Sequence, residues 1–411
     1  MGLIDDLARP AEWVRFREDK NGSGQLSRAE LQELDDFIAA AGYEPVVAAM
    51  REGVAAFGYP KRMVVNKSGT RRKRVVFCYD AAQTWVLKLM ARLLYRYDGG
   101  LSSACYSFRR DLSAKKAWDR IMALPDVGGS WVLKADIHDY FNSMPVDLLM
   151  RTLADFVNDD PELLAILRDM HQDERCWEGG ELVAARRGAM AGVPTSAFMA
   201  NIFLDDMDRH FLDLGVPYFR YSDDILIFAR SEGELQRLRD ELERIVGEHG
   251  LEMNPAKTAV FAPGEAWDFL GFRYVQGRID LSRATVQKMK DKIKRSAHSL
   301  YRWRMRKGVD FERAARVMTR TFERKIFDVS GTREFTWSRW FFPVLSCSDG
   351  LHEIDEYMLQ NLRYLKSGRY YKGNYRVDYE QLKALGYSSL VHEYYCYLEE
   401  CRELAEFNSG V

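Results

Sequence analysis

Cysteine is scarce in this chain of 411 residues, and the few cysteines are dispersed. None forms a C-x-x-C pair; the six are Cys78, Cys105, Cys176, Cys347, Cys396 and Cys401. This spacing argues against both a disulfide framework and a cysteine-based zinc site. We therefore expect a reducing compartment, the cytoplasm.

Long apolar runs and an excess of one charge are also lacking. No apolar stretch approaches the ~20 residues needed to cross a bilayer, and the start, MGLIDDLARP, lacks the basic-then-apolar pattern of a signal peptide. We expect no membrane partner. The 60 basic residues are balanced by 61 acidic ones, so net charge gives no indication of a polyanionic partner.

The hydrophobic pattern predicts several packed subdomains rather than one core, as expected for this length. Residues 1–60 carry apolar positions at helical spacing, and a basic segment with short strands follows. The middle third alternates strands and helices, with one hairpin, which favours an α+β sheet covered by helices on one face. Beyond Asp280 the pattern is again mainly helical.

Three carboxylates in the middle third indicate a metal site. Asp223 and Asp224 lie between two apolar arms, so we expect them at a tight turn. Taken alone, that turn is better explained as solvated, but Asp136 adds a third carboxylate at the end of the apolar strand 131–137. Since adjacent carboxylates repel, hard divalent cations would stabilise them. Two Mg²⁺ ions ~3.5–4 Å apart would suit the in-line displacement of polymerases.

Five segments follow one another in the order of a known family's motifs. They are DIHDYFNSM (136–144), GVPTSAFMANIFLDDMD (192–208), YSDD (221–224), NPAKT (254–258) and FLGF (269–272). With RKRVVF (72–77) and CYSFR (105–109), they resemble bacterial reverse transcriptases of the free-standing, defence-associated kind related to retron and group II intron enzymes. The C-terminal segment is similar to that of enzymes that copy an adjacent structured non-coding RNA.

The resemblance implies a right-hand polymerase fold of the α+β class, with a ferredoxin-like palm and helical extensions at both ends. Its expected divisions are an N-terminal helical region 1–60, fingers 61–135, a palm with a finger insertion 136–280, a helical thumb 281–345 and a C-terminal helical extension 346–411. The implied activity is RNA-directed DNA polymerase, a nucleotidyltransferase making cDNA in antiphage defence. The implied partners are two Mg²⁺ ions, dNTPs, an RNA template and the cDNA product.

The resemblance also implies roles for single residues. Metal would be held by Asp136, Asp223, Asp224 and the Ile137 carbonyl, while Lys257 would give a proton to pyrophosphate. Substrate contacts are expected from Phe141, Gly192, Pro194, Ser196, Lys73 and Arg74. Nucleic acid would be held by the thumb and the primer grip, at Lys288, Lys292, Arg295, Arg302, Phe269 and Gly271.

Several of these roles have alternatives. Phe141 falls at the family's steric gate, where an aromatic ring would clash with a ribose 2′-hydroxyl, although ordinary core packing explains it equally well. Arg72, Lys73 and Arg74 could each clamp a triphosphate, and the sequence does not choose among them. Ala191 stands where the family usually has Gln, which puts template positioning in doubt. A template-independent polymerase and a non-catalytic RNA-binding scaffold therefore remain alternatives.

Residues 19–30 fit the spacing of an EF-hand calcium loop. Asp19 and Glu30 are its only carboxylate ligands, however, which predicts weak binding. Ser27-Arg28-Ala29-Glu30 also matches a helix capping box. We favour the capping box over a calcium site.

Overall fold

The computed structural model describes residues 2–23, 26–66, 73–185, 188–327 and 336–409. The chain divides into two compact units, Met1–Glu265 and Ala266–Val411, called here the N-terminal and the C-terminal unit. Among the described residues, no helix combines the length and the apolar character that a membrane span requires.

The N-terminal unit contains twelve α-helices, a 3-10 helix (Leu94–Gly100) and eight strands in its described part. The helices are α1 (Leu3–Leu7), α2 (Pro10–Ser23), α3 (Arg28–Ala39), α4 (Glu44–Arg51), α5 (Ala81–Leu93), α6 (Ala114–Met122), α7 (Tyr140–Ser143), α8 (Val146–Phe156), α9 (Pro161–Gln172), α10 (Ser196–Phe203), α11 (Asp205–Asp213) and α12 (Glu232–Glu248). The strands are β1 (Lys61–Asn66), β2 (Lys73–Cys78), β3 (Trp131–Asp136), β4 (Arg175–Glu178), β5 (Glu181–Ala184), β6 (Tyr218–Tyr221), β7 (Asp224–Ala229) and β8 (Ala259–Phe261).

The sheet that carries the acidic motifs has the strand order β6-β7-β3-β8 and is antiparallel throughout. Its central strand β7 reads as a continuous apolar run, and Ile225–Ala229 are all at most 5% exposed. Such a run is expected where both faces of a strand are covered. Helix α12 packs on β3 and β7, and this core fixes the strand ends where Asp136 and Asp224 lie.

A second sheet has the order β2-β1-β4-β5. The basic segment 67–80 predicts a hairpin. In the structure its strand β2 pairs antiparallel with β1, with Asn66 opposite Lys73. Its tip, with Arg71 and Arg72, lies outside the described residues. The segment SAFMANIFLDDMDRHF (196–211) predicts one helix. The structure interrupts it at Leu204 (φ −117°, ψ 20°), where the buried Asp205 that begins α11 accepts a hydrogen bond from the Ser102 amide at 2.6 Å.

The EF-hand-like segment forms a helix and a helix cap. Helix α2 continues through Asp19 to Ser23, and the Asp19 carboxylate accepts a hydrogen bond from Arg92 Nε at 2.6 Å. The capping box is confirmed, because Ser27 accepts from the Glu30 amide while Glu30 accepts from the Ser27 amide at 2.8 Å. Both candidate calcium carboxylates therefore already have protein partners, whereas Gly24 and Gln25 lie outside the described residues.

The C-terminal unit combines a small antiparallel sheet, of order β11-β10-β9, with helices. Its elements are β9 (Trp267–Phe269), β10 (Phe272–Val275), β11 (Arg278–Leu281), α13 (Arg283–Lys307), α14 (Phe311–Ile326), α15 (Trp337–Phe341), α16 (Asp349–Ser367), α17 (Tyr379–Ala384) and α18 (Leu390–Ser409). The segment FLGFRYVQGRIDLS (269–282) predicts a strand pair, and the structure has three strands here. Helix α13 packs on α14 and α16 through an apolar stripe at helical spacing, Val286, Met289, Ile293 and Ala297.

Candidate active site

The three predicted acids lie together at one edge of the β6-β7-β3-β8 sheet. The register of β3 and β7 sets Asp136 opposite Asp224, and the Ile137 amide donates to the Asp223 carbonyl at 3.2 Å. This bond flanks the Asp136–Asp224 pair, so the two residues form a non-hydrogen-bonded pair with Cα atoms ~4.5 Å apart and side chains on one face. The strand pairing therefore gathers carboxylates that are distant along the chain.

The turn that carries Asp223 is held from outside the hairpin. Tyr221 pairs with Asp224, which leaves Ser222 and Asp223 as a two-residue turn, with Ser222 at φ +61°. The Ser222 amide donates to Ser107 Oγ at 2.9 Å. Ser107 Oγ in turn donates to Asn201 Oδ1 at 3.0 Å, on helix α10. The turn is thus fixed to two further segments of the N-terminal unit.

A buried ion pair anchors the strand that leads into this turn. Arg220 of β6 donates to Asp208 of α11 through Nε at 2.7 Å and Nη2 at 2.5 Å, and both side chains are fully buried. The Tyr218 hydroxyl also donates to Asp208, at 2.9 Å. A bidentate pair of this kind fixes geometry as well as charge, so β6 cannot shift along α11 without breaking it.

Electrostatics at Asp223 and Asp224 favour a bound cation. Burial, followed by the charge of Asp223, raises the pKa of Asp224 to about 6. Burial and then the charge of Asp136 raise the pKa of Asp223 in the same direction. Both shifts mean that the positive side chains nearby do not offset burial and mutual repulsion of the ionised carboxylates. A divalent cation with oxygen ligands would supply that charge.

Asp136 is held by the predicted NPAKT segment. It is 2% exposed, and its side chain accepts from Asn254 Nδ2 at 2.9 Å and forms an ion pair with Lys257. The Asn254 amide also donates to the Asp136 carbonyl, at 2.7 Å. The structure therefore places Lys257 at the acids. Asn254 orients Asp136. Sequence reasoning missed this role, because the only signal for Asn254 was its place in the NPAKT segment.

The donor set fits Mg²⁺, because the three carboxylates at this sheet edge offer oxygen ligands. A second candidate metal site lies in the C-terminal unit, where one ligand atom from each of Asp280, Cys347 and Asp349 lies within 4.8 Å of the other two. Among the described residues, the three acids do not form a group as close as this. Asp280 already accepts from the Leu281 amide at 2.7 Å.

The predicted gate residue lies in a small group of side chains beside the acids. The Arg74 guanidinium is 6.0 Å from the centroid of the Phe141 ring, and the Phe108 ring is 6.4 Å away on an edge-to-face contact. Arg74 also lowers the pKa of Asp223, although burial outweighs it. Successive residues of a strand face opposite sides, so Lys73 points away from the face that Arg74 shares with Phe141.

The loop before α10 is fixed against β2. Gly192 has φ +100°, and a Cβ there would lie 2.9 Å from the Phe77 carbonyl oxygen, so glycine is required. The Ala191 carbonyl accepts from the Phe77 amide at 2.7 Å, and its amide donates to Asn142 Oδ1 at 3.0 Å. Asn142 thus links the segment of Phe141 to this loop. Apart from its place in the motif 136–144, no sequence feature indicates this role.

The other predicted substrate and nucleic-acid residues fall into three settings. Ser196 is buried and donates to the Met190 carbonyl at 2.6 Å, while Pro194 is half-buried. In the C-terminal unit, Phe269 is 1% exposed and Gly271, at φ +89°, completes the turn between β9 and β10. The four predicted cations of α13 are all exposed, namely Lys288, Lys292, Arg295 and Arg302.

Comparison with known proteins gives one family and several relatives. The family described as "Reverse transcriptase (RNA-dependent DNA polymerase)" matches residues 65–274. The retron Mx65 reverse transcriptase of Myxococcus xanthus is 30% identical over 186 residues, 43% of this chain and 43% of that protein. The retron Ec86 reverse transcriptase of Escherichia coli is 22% identical over 250 residues, 58% of this chain and 70% of that protein.

The chain therefore spans less than half the length of the Mx65 enzyme. Among solved structures, apo telomerase from Candida tropicalis has a TM-score of 0.45 at 12% identity, over 75% of this chain and 64% of that chain. A likeness of this size supports no conclusion about function.

Proposed function

The chain belongs to the reverse transcriptase family, and on this premise we propose that it extends a DNA strand on an RNA template. The observation that supports the activity most directly is the cross-strand pairing of Asp136 with Asp224, beside Asp223 in its clamped turn. A non-catalytic RNA-binding scaffold would have no need to keep three mutually repelling carboxylates in one place.

The residues of the site divide the work of nucleotide transfer. Asp136, Asp223 and Asp224 would hold two Mg²⁺ ions, together with the Ile137 carbonyl. When bound, these ions would lower the pKa of the primer 3′-hydroxyl and neutralise the leaving pyrophosphate. Lys257, which forms an ion pair with Asp136, would give its Nζ proton to that pyrophosphate. Asn254 keeps the Asp136 carboxylate oriented throughout.

The side chains around Phe141 would choose the nucleotide. Arg74 would bind the triphosphate, since its guanidinium lies beside both the Phe141 ring and the acids. The Phe141 ring would exclude a ribose 2′-hydroxyl and so favour dNTPs. The exposed cations of α13 would bind phosphates of the primer–template without reading sequence, with salt-sensitive affinity.

We further propose a structured non-coding RNA as the template and antiphage defence as the role, in the cytoplasm. Support comes from the similarity to proteins named as retron reverse transcriptases. Recovery and sequencing of RNA and DNA that copurify with the full chain tests this: one abundant RNA with a matching cDNA is expected. A random mixture of cellular RNA, without matching DNA, would overturn the template assignment.

Ala191 keeps a template-independent polymerase as a second candidate. Its side chain is 1% exposed and its backbone is bound to Asn142 and Phe77, so it offers no amide group to a template. Sequencing of the products made with and without added RNA separates the two activities. Products that copy the RNA support the first, and products unrelated to it support the second.

Primer extension with dNTPs and Mg²⁺ on a defined RNA tests the activity itself. Asp136→Asn and Asp223→Asn are expected to abolish incorporation while the protein stays folded. The matched control is Asp240→Asn, an exposed acid on α12 whose carboxylate accepts from Gln236 at 2.7 Å. Incorporation by the double variant Asp136→Asn/Asp223→Asn would show that the site is assigned wrongly.

A further inference from the structure

Phe108 combines a disfavoured backbone conformation with an exposed ring. Its φ is +53°, in the left-handed region that bulky side chains rarely adopt. Its side chain is nevertheless 42% exposed, so burial of the ring does not compensate for this conformation. Strain of this kind persists only where the surrounding structure imposes it, and it is concentrated at functional sites.

The chain on both sides of Phe108 is held firmly. Ser107 is hydrogen-bonded to Asn201 in both directions, since its carbonyl accepts from Asn201 Nδ2 at 2.8 Å and its Oγ donates to Asn201 Oδ1 at 3.0 Å. On the other side, Arg109 donates to the Ser102 carbonyl at 2.6 Å and to the Asp98 carbonyl at 2.5 Å. These contacts impose the conformation of Phe108 from outside.

The imposed conformation directs the ring to the candidate active site. The Phe108 ring contacts Phe141 with centroids 6.4 Å apart and planes at 72°, and Tyr221 with centroids 6.4 Å apart. Three more non-glycine residues with positive φ belong to segments around this site, namely Asp139, Met190 and Ser222. In the described part of the N-terminal unit, four of the five non-glycine residues with positive φ therefore belong to this site, Ala41 being the fifth, as expected for a preorganised site.

We propose that Phe108 is a positioning residue that holds the Phe141 ring in place for discrimination between deoxyribose and ribose. The inference rests on the proposed function, because it assigns Phe108 to sugar selection by that same site. Phe108 acts through Phe141 rather than through contact with the nucleotide. The Phe141 ring contacts Arg74 as well as Phe108. Removing Phe108 would take away one of these contacts, so the Phe141 ring could move aside when a 2′-hydroxyl is present.

The expected size of the effect follows from the contact. An edge-to-face aromatic pair contributes interaction energy in addition to that of the area it buries. Loss of this energy corresponds to a change of about two- to tenfold in a rate ratio. The quantity to measure is the ratio of kcat/KM for a dNTP to kcat/KM for the matching rNTP, on the full chain with a primed RNA. Both values come from one preparation, so partial unfolding of a variant cannot imitate the effect.

Phe108→Ala is expected to lower this ratio by about two- to tenfold, and Phe108→Tyr, which keeps the ring, to restore it. Leu212→Ala, at a residue of similar exposure (39%) near the end of α11, is the matched control and leaves the ratio unchanged. In the double variant with Phe141→Ala, the loss should equal that of Phe141→Ala alone, because both changes act on one gate.

An unchanged ratio in Phe108→Ala, or losses that multiply in the double variant, would overturn the inference. A rise in KM for both nucleotides at a constant ratio would also overturn it, because it would mean direct contact with the substrate. Failure of the wild-type protein to incorporate any dNTP would instead refute the proposed function, so the two failures are distinguishable.

Discussion

The buried pair Arg220–Asp208 gives the sharpest stability prediction. Asp208→Asn removes the negative charge but keeps the shape of the side chain. The Arg220 guanidinium, fully buried and bonded to Asp208 at 2.5 and 2.7 Å, would then be a charge without a counter-ion in the core. Breaking one partner of a buried pair costs about 3–5 kcal/mol. Since a domain has only about 5–15 kcal/mol of stability, this is a large fraction of the total.

Urea denaturation, followed by circular dichroism and intrinsic fluorescence, would measure this loss as a lower midpoint at unchanged slope. The matched control is Glu243→Gln, which breaks an exposed pair with Arg239 whose side chains are 42% and 39% exposed. Its expected cost is about 0.3–0.5 kcal/mol. A loss below about 1 kcal/mol for Asp208→Asn would refute the reasoning, because a buried guanidinium without its counter-ion costs more than that.

Gly192→Ala should lower the free energy of unfolding by ~1–3 kcal/mol or more, because φ is +100° and the new Cβ would lie 2.9 Å from the Phe77 carbonyl oxygen. In the same thermal melts, Gly233→Ala should raise the free energy of unfolding by roughly 0.5–1 kcal/mol, because this position on α12 has open space around it. Burial and the charge of Asp223 raise the pKa of Asp224 to about 6, so the metal-free protein loses stability as pH rises from the unfolded-state pKa of about 4 through that value. Added Mg²⁺ should therefore raise Tm more at about pH 7.5 than at about pH 5, and equal shifts would contradict this. Calcium added without magnesium should leave the melting of α2 and α3 unchanged, since the Asp19 and Glu30 carboxylates are already bound within the protein. The variant Asp19→Asn/Glu30→Gln, compared with the wild-type protein, should respond to calcium in the same way.

The sequence predicted those features that depend on local pattern. Apolar periodicity gave the helices, and the apolar run 131–137 and the arms around 221–224 gave the strands whose ends carry the acids. The capping box at Ser27 was visible for the same reason. The resemblance to bacterial reverse transcriptases, which depends on ordered motifs, is confirmed by the family match and the retron relatives. The roles of single residues stay predictions.

What the sequence did not predict depends on contacts between distant elements. Nothing near Arg220 marks Asp208 as its partner on another element. The positive φ of Phe108 is likewise invisible, because hydrogen bonds from other segments impose it. The sequence could not favour Lys73 or Arg74 as the triphosphate ligand, whereas the structure favours Arg74 because its guanidinium lies beside the Phe141 ring. Arg72, the third candidate, lies outside the described residues.

Anomalous diffraction from crystals soaked in Mn²⁺ with a dNTP would test the central claim most directly. We predict two peaks ~3.5–4 Å apart, both within ligand distance of Asp136 and Asp223, with Asp224 beside them. Lys257 should have left Asp136 in that complex, since the ion takes its place at the carboxylate. Manganese bound elsewhere, for example at Asp280, Cys347 and Asp349, with none at Asp136, would contradict the account.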